Sequence, residues 1–207
     1  MEDTPIVVKS HNVHLDTEYV QWMFELKERY RHTQVRAAVK VNAEQLMFNW
    51  LLGKDLVTRK ADEKWGTGVV EQVSLDLQNE FPTAKGFSTT NLWNMKKWYL
   101  FYSENLQQLV VENLDDFCIN QLKQYNGDAI QKIQQLVGEI DFPAIFAFVP
   151  WGHHVQIITK CKNVDEAMFY IRGTITEGWS RNALLNYIKA DYYHKKGIAI
   201  TNFDEHL

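Results

Sequence analysis

The sequence predicts a mostly α-helical domain carrying helix-turn-helix (winged-helix-like) units, with a minor β element joining the termini. Three observations predict it. Apolar residues recur at helical spacing through most of the 207 residues. Two helices open on the same Gly-aromatic-Ser run, Gly86-Phe87-Ser88 and Gly178-Trp179-Ser180. Two short β-like segments, Pro5 to Lys9 and Ile198 to Thr201, stand near the two ends, where they could pair.

After Pro5 to Lys9, the stripe Tyr19, Trp22, Met23, Leu26 and Tyr30 predicts a long helix with Asp16 or Thr17 as its cap. The pattern runs on through Val35, Ala38, Val39, Asn42, Leu46, Trp50 and Leu51. No Pro or Gly interrupts it before Gly53, so it reads as one long helix or two with a kink. Arg29, Arg31, Arg36 and Lys40 fall on its outside.

The stretch from Trp65 to Tyr102 is the most informative. Val69, Val70, Val73 and Leu77 give one helix its apolar face. Pro82 and Gly86 turn the chain, and Ser88 stands where an N-cap belongs. Leu92, Met95, Tyr99 and Tyr102 form the inward stripe of the next helix, leaving Thr89, Thr90, Trp93, Lys96 and Lys97 outward. Helix, turn and capped helix is a helix-turn-helix layout. Two amphipathic helices joined by a turn also occur in all-α domains that bind nothing, where Trp93 would pack within the fold.

Ser103 to Gly127 reads as a helix or as a loop with short strands, and Asn126 to Asp128 mark a break. Ala129 to Val137 looks helical and Gly138 ends it. Phe142 to Val149 is an apolar run, and a helix over Gly152 to Thr159 follows. Val164 to Thr176 is helical, with Asp165 and Glu166 in the first turn, where negative charge suits the helix dipole. The second Gly-aromatic-Ser opening then starts a last helix over Arg181, Asn182 and Ala183 to Ile188. The expected organisation is a long helix plus helix-turn-helix over 1–125 and a second helical, helix-turn-helix-like unit over 126–207, together one compact domain.

Composition narrows the function classes. Net charge is −4, so the chain is not generally basic. The charge is uneven, however. Lys27 to Lys97 holds twelve Lys/Arg against eight Asp/Glu, and Trp98 to Ile145 holds seven acids against Lys123 and Lys132. A positive stripe on a mildly acidic protein can still hold a polyanion, because the field is local. Cys118 and Cys161 have neither disulfide nor zinc spacing. The N-terminus lacks a signal-peptide pattern and no apolar stretch is long enough for a bilayer, which predicts a cytoplasmic protein without membrane contact.

Catalytic patterns are missing. His153 and His154 are adjacent, which does not suit two ligands of one metal on a helix face, and they read as ordinary polar or capping histidines. No HExxH, CxxC, P-loop, GxGxxG or GxSxG occurs. The acid-x-Lys pair of a PD-(D/E)XK nuclease belongs at paired strand ends, whereas Glu25-Leu26-Lys27 and Glu63-Lys64 lie in helical or loop patterns. The expectation is no catalytic residue, no metal and no cofactor.

These motifs resemble the N-terminal domain of YhcG-type proteins, which join a helix-turn-helix-like region to a C-terminal PD-(D/E)XK nuclease domain. The segments that carry the resemblance are Asn42 to Lys54 (NAEQLMFNWLLGK), Trp65-Gly66, Leu75 to Pro82 (LDLQNEFP), Gly86 to Tyr99 (GFSTTNLWNMKKWY), Val149 to Val155 (VPWGHHV), Phe169 to Asn182 (FYIRGTITEGWSRN) and Asn202-Phe203. Two departures stand out. The family often has basic residues just after the GFS serine, where this chain has Thr89 and Thr90. The chain also stops about where the nuclease domain would begin, so it is expected to be an excised domain or a stand-alone relative.

The resemblance implies a nucleic-acid-binding module, for DNA foremost, that positions a nuclease domain. Lys85, Lys96, Lys97 and Arg181 are the expected phosphate contacts, and Thr89, Thr90, Trp93, Asn94 and Asn182 the base or sugar contacts, with Ser88 opening the helix. The alternative is a protein-interaction or homodimerisation module in which Trp22, Trp50 and Trp93 bury against a partner.

Overall fold

The structure, a computed structural model, describes residues 16–59, 61–105 and 141–196. They form helices and turns, with no strand among the described residues. The expected β-like segments, the break at Asn126 to Asp128, the helix over Ala129 to Val137 and the expected 125/126 boundary lie outside them. In order come α1 (Thr17–Thr58), α2 (Ala61–Trp65), α3 (Val69–Glu80), α4 (Thr89–Ser103), a 3-10 helix (Ala144–Phe148), α5 (Trp151–Lys160), α6 (Val164–Glu177) and α7 (Arg181–Lys189). Residues 192–196 are helical as well.

The chain divides into two units, Met1–Ala37 and Ala38–Leu207. In the first, the described residues open α1. Asp16 caps it by accepting the Tyr19 N–H at 2.9 Å. Of the stripe that predicts this helix, Trp22, Leu26 and Tyr30 are exposed, with Val20 and Phe24 beside them. Tyr19 and Met23 are half-buried.

The second unit holds the core. Ala43, Leu46, Met47 and Trp50 of α1 meet Trp98, Tyr99 and Tyr102 of α4, and Phe142, Ile145 and Phe146 close over them. α5 adds Ile157 and Ile158, α6 adds Ala167, Tyr170 and Ile171, and α7 adds Leu184. The centre is aromatic. Trp50 meets Trp98 edge-on at 5.1 Å between centroids, and Tyr102 meets Phe146 at 4.7 Å. Each such side chain contributes roughly 1.5–3 kcal/mol by leaving water. A smaller cluster of Leu56, Ala61, Val70 and Leu92 joins α1, α2, α3 and α4.

Gly53, where the long helix was expected to be interruptible, lies inside it. A Cβ there would fall 2.3 Å from the Met95 carbonyl oxygen, so glycine is required by the approach of α1 to α4. The apolar run before α5 is a single 3-10 turn, bounded by Pro143 and Pro150. Pro150 disfavours helical backbone at Val149. Asn42 of α1 donates its Nδ2–H to the Ala147 and Val149 carbonyls at 2.8 and 3.2 Å, which pairs groups that no helix would pair. α6 opens on Asn163, which accepts the Glu166 N–H at 2.9 Å, and ends at Gly178 in the left-handed region. α5 packs against α4, α6 and α7.

Candidate nucleic-acid interface

The two Gly-aromatic-Ser runs fold alike. Gly86 has φ +112° and Gly178 φ +62°, both in the region that favours glycine. Ser88 Oγ accepts the Asn91 N–H at 3.4 Å and Ser180 Oγ accepts the Ala183 N–H at 3.2 Å, so each serine caps its helix. The aromatic residue between them presents its carbonyl to another helix. Phe87 O accepts from Ser74 Oγ at 2.6 Å and Gln78 Nε2 at 3.1 Å on α3. Trp179 O accepts from His153 Nε2 at 2.9 Å on α5. The connections differ in length: residues 81–88 join α3 to α4, and only 178–180 join α6 to α7.

Both openings meet the first turn of α5. Trp151 Nε1–H donates to Asn91 Oδ1 at 2.7 Å, and Asn91 Nδ2–H donates to Gly86 O at 2.6 Å. A Cβ on Gly152 would lie 3.7 Å from Arg181 Cδ and Nη1, so the Arg181 side chain passes that turn in ordinary contact. Three helix N-termini (α4, α5 and α7) are thereby joined through side chains. Their free N–H groups and dipoles favour anions.

The expected contact residues divide into two groups. Thr90, Lys85, Lys97, Arg181 and Asn182 are exposed, as is the capping Ser88, while Thr89 and Asn94 are half-buried. No acid among the described residues pairs with Lys85, Lys97 or Arg181. Lys96 is half-buried and Trp93 exposed, and both are engaged by neighbouring helices. The Lys96 ammonium is ion-paired with Asp62 of α2 and sits 5.0 Å from the centre of the Trp93 ring. The Trp93 indole N–H faces Glu71 Oε1 of α3 at 3.5 Å.

Four residues of this arrangement were not singled out from sequence as site residues. Asn91 and Trp151 link α4 to α5, and His153 holds the second opening. Gly173 of α6 gives the Trp179 indole its seat, since a Cβ there would fall 2.3 Å from ring carbon Cη2. The repeated Gly-aromatic-Ser pattern points to the caps, but nothing in it names the groups that hold them from outside.

The buried titratable groups suit packing. His154 lies wholly buried between Trp98 and Phe146, its Nε2 bonded to Phe146 O at 3.1 Å, and burial lowers its pKa to about 4. Burial, aided by the Glu166 charge, pushes the Cys161 thiol up to about 12, so it stays protonated and a poor nucleophile. Among the described residues, no three His, Cys, Asp or Glu side chains gather to hold a metal ion. No helix among them is long and apolar enough to cross a membrane.

With this geometry in hand, the class of the protein follows from comparison. Residues 25–195 match the family described as DUF1016 N-terminal domain, and the chain belongs to that family. It is similar to the Escherichia coli (strain K12) protein named "Putative nuclease YhcG", with 27% identity over 137 residues. The matched stretch is 66% of this chain and 34% of that protein, so the chain spans about a third of the relative's length. The likeness to YhcG-type N-terminal domains drawn from the motifs therefore holds. No solved structure matches the chain.

Proposed function

We propose that this domain binds nucleic acid, duplex DNA foremost, as the N-terminal module of a nuclease, and positions a catalytic domain carried elsewhere in the full-length protein. The observation that carries the reading is the meeting of two Ser-capped helix openings at the start of α5, with exposed cations and hydroxyls around them. A phosphate backbone is a row of anions at regular spacing. Paired helix N-termini with Lys85, Lys97 and Arg181 supply matching donors and charge. Thr89, Thr90, Asn94 and Asn182 supply short donors and acceptors for sugar or base edges. Lys96, half-buried, and Trp93, exposed beside it, are tied to Asp62 and Glu71 of the neighbouring helices.

On this reading α3–α4 and α6–α7 are helix-turn-helix-like units of unequal form. The three-residue link 178–180, with its left-handed glycine, suits a helix-turn-helix turn, and the longer link 81–88 exceeds it. The name of the Escherichia coli relative supports association with a nuclease.

Fluorescence anisotropy on labelled duplex DNA at two salt concentrations tests the proposal. Affinity should fall steeply with salt. Replacing Lys85, Lys97 and Arg181 by Ala should flatten the log–log slope by about 0.9 for each lost phosphate contact. Lys96 is left intact in that variant because its loss strands the half-buried Asp62 carboxylate. Equal affinity and slope for parent and triple variant would exclude this surface.

The exposed apolar side chains of α1 favour a second reading, a dimerisation module. Sedimentation showing a tight dimer that ignores DNA would select it.

A further inference from the structure

Three consecutive residues at the start of α5 lie against the two helix openings, two of them bonding to one each. Trp151 reaches α4 through Asn91, which itself closes onto Gly86. Gly152 leaves room for Arg181 of α7. His153, itself buried, reaches the turn before α7 through the Trp179 carbonyl. That carbonyl accepts, so the bonded Nε2 of His153 carries the proton. Both bonds cross between elements: one ends on the side chain of Asn91 in the first turn of α4, the other on the carbonyl of Trp179 just before the Ser180 cap. The second cap is held from one more side. Trp179 sits on Gly173, where any Cβ would collide with the indole, and stacks on Tyr187 at 4.4 Å.

We infer that Trp151 and His153 are positioning residues that fix the spacing of the α4 and α7 openings, so that their cations and free N–H groups act on one ligand together. What that ligand is rests on the DNA-binding reading above; the spacing itself does not. A backbone with fixed phosphate intervals rewards two donor sets held at constant separation and gains little from two that drift. Neither residue needs to touch the ligand. Their effect travels through Asn91 and the Trp179 carbonyl.

Two readouts separate the spacing role from general stability and from the DNA reading. Spin labels at Thr90→Cys and Asn182→Cys, in a Cys118→Ser background, report the distance between the openings by pulsed electron resonance. Duplex binding is measured separately on the unlabelled chain. Trp151→Phe keeps an aromatic ring and removes the indole donor, and His153→Leu replaces the imidazole by an apolar side chain without a donor. Combined, they should keep the helical circular dichroism, shift or broaden the label distance and weaken DNA binding roughly tenfold. His153→Gln, which retains a donor, should restore the narrow distance and most of the affinity. Should the double variant unfold, the two single variants and Asn91→Leu carry the same test. An unchanged label distance in folded variants would overturn the inference, whatever happens to binding. A shifted distance in a chain whose parent binds no DNA would support the spacing role and sink the DNA reading instead.

Discussion

Gly53 shows how much a single atom decides. An alanine Cβ would enter the Met95 carbonyl, and neither backbone can yield without moving α1 or α4. Gly53→Ala should therefore lower stability by about 1–3 kcal/mol despite alanine's better helix propensity, read as a fall in the urea midpoint. Propensity alone predicts a gain, so the sign discriminates. His154 makes a second prediction at this scale. Burial holds its folded pKa near 4, against 6.5 for a free imidazole. The unfolded chain takes up the proton first, so His154 contributes its full stability above pH 6.5 and loses it as pH falls toward 4. The loss is on the order of 3 kcal/mol. His154→Leu should flatten that part of the stability–pH curve, and an unchanged slope would show that other groups govern it.

Elements were readable from sequence where local chemistry punctuates them. Ser88 and Ser180 cap α4 and α7 as serine before a helical stripe suggests, and Gly178 ends α6. Leu92, Met95, Tyr99 and Tyr102 are buried as their spacing requires. Alanine at Ser88 or at Ser180 should each cost about 1 kcal/mol, checked by thermal unfolding, because each removes the acceptor of a first-turn N–H. What sequence could not show is which neighbour an outward face meets. Spacing put Trp93 and Lys96 outside, but it says nothing of Asp62 and Glu71, which come from α2 and α3 and engage them. The 3-10 turn was unreadable for a related reason. Six apolar residues between two prolines have no period to measure, and two of their carbonyls, those of Ala147 and Val149, are paired by Asn42, about a hundred positions earlier.

At the scale of the whole molecule, the two Gly-aromatic-Ser runs gain meaning from what lies between them. Separately each is an ordinary capped helix start; α5 brings both to one place. The family match covers that arrangement from α1 to the end of α7, since it spans residues 25–195. On the proposed reading the two openings bind DNA as one surface. Amide chemical shifts followed while duplex DNA is added test it most directly. Residues Thr89 to Asn91 and Arg181 to Ala183 should move together and fit one dissociation constant, which weakens as salt rises. Shifts confined to the exposed face of α1, or no shifts at any salt, would contradict the claim.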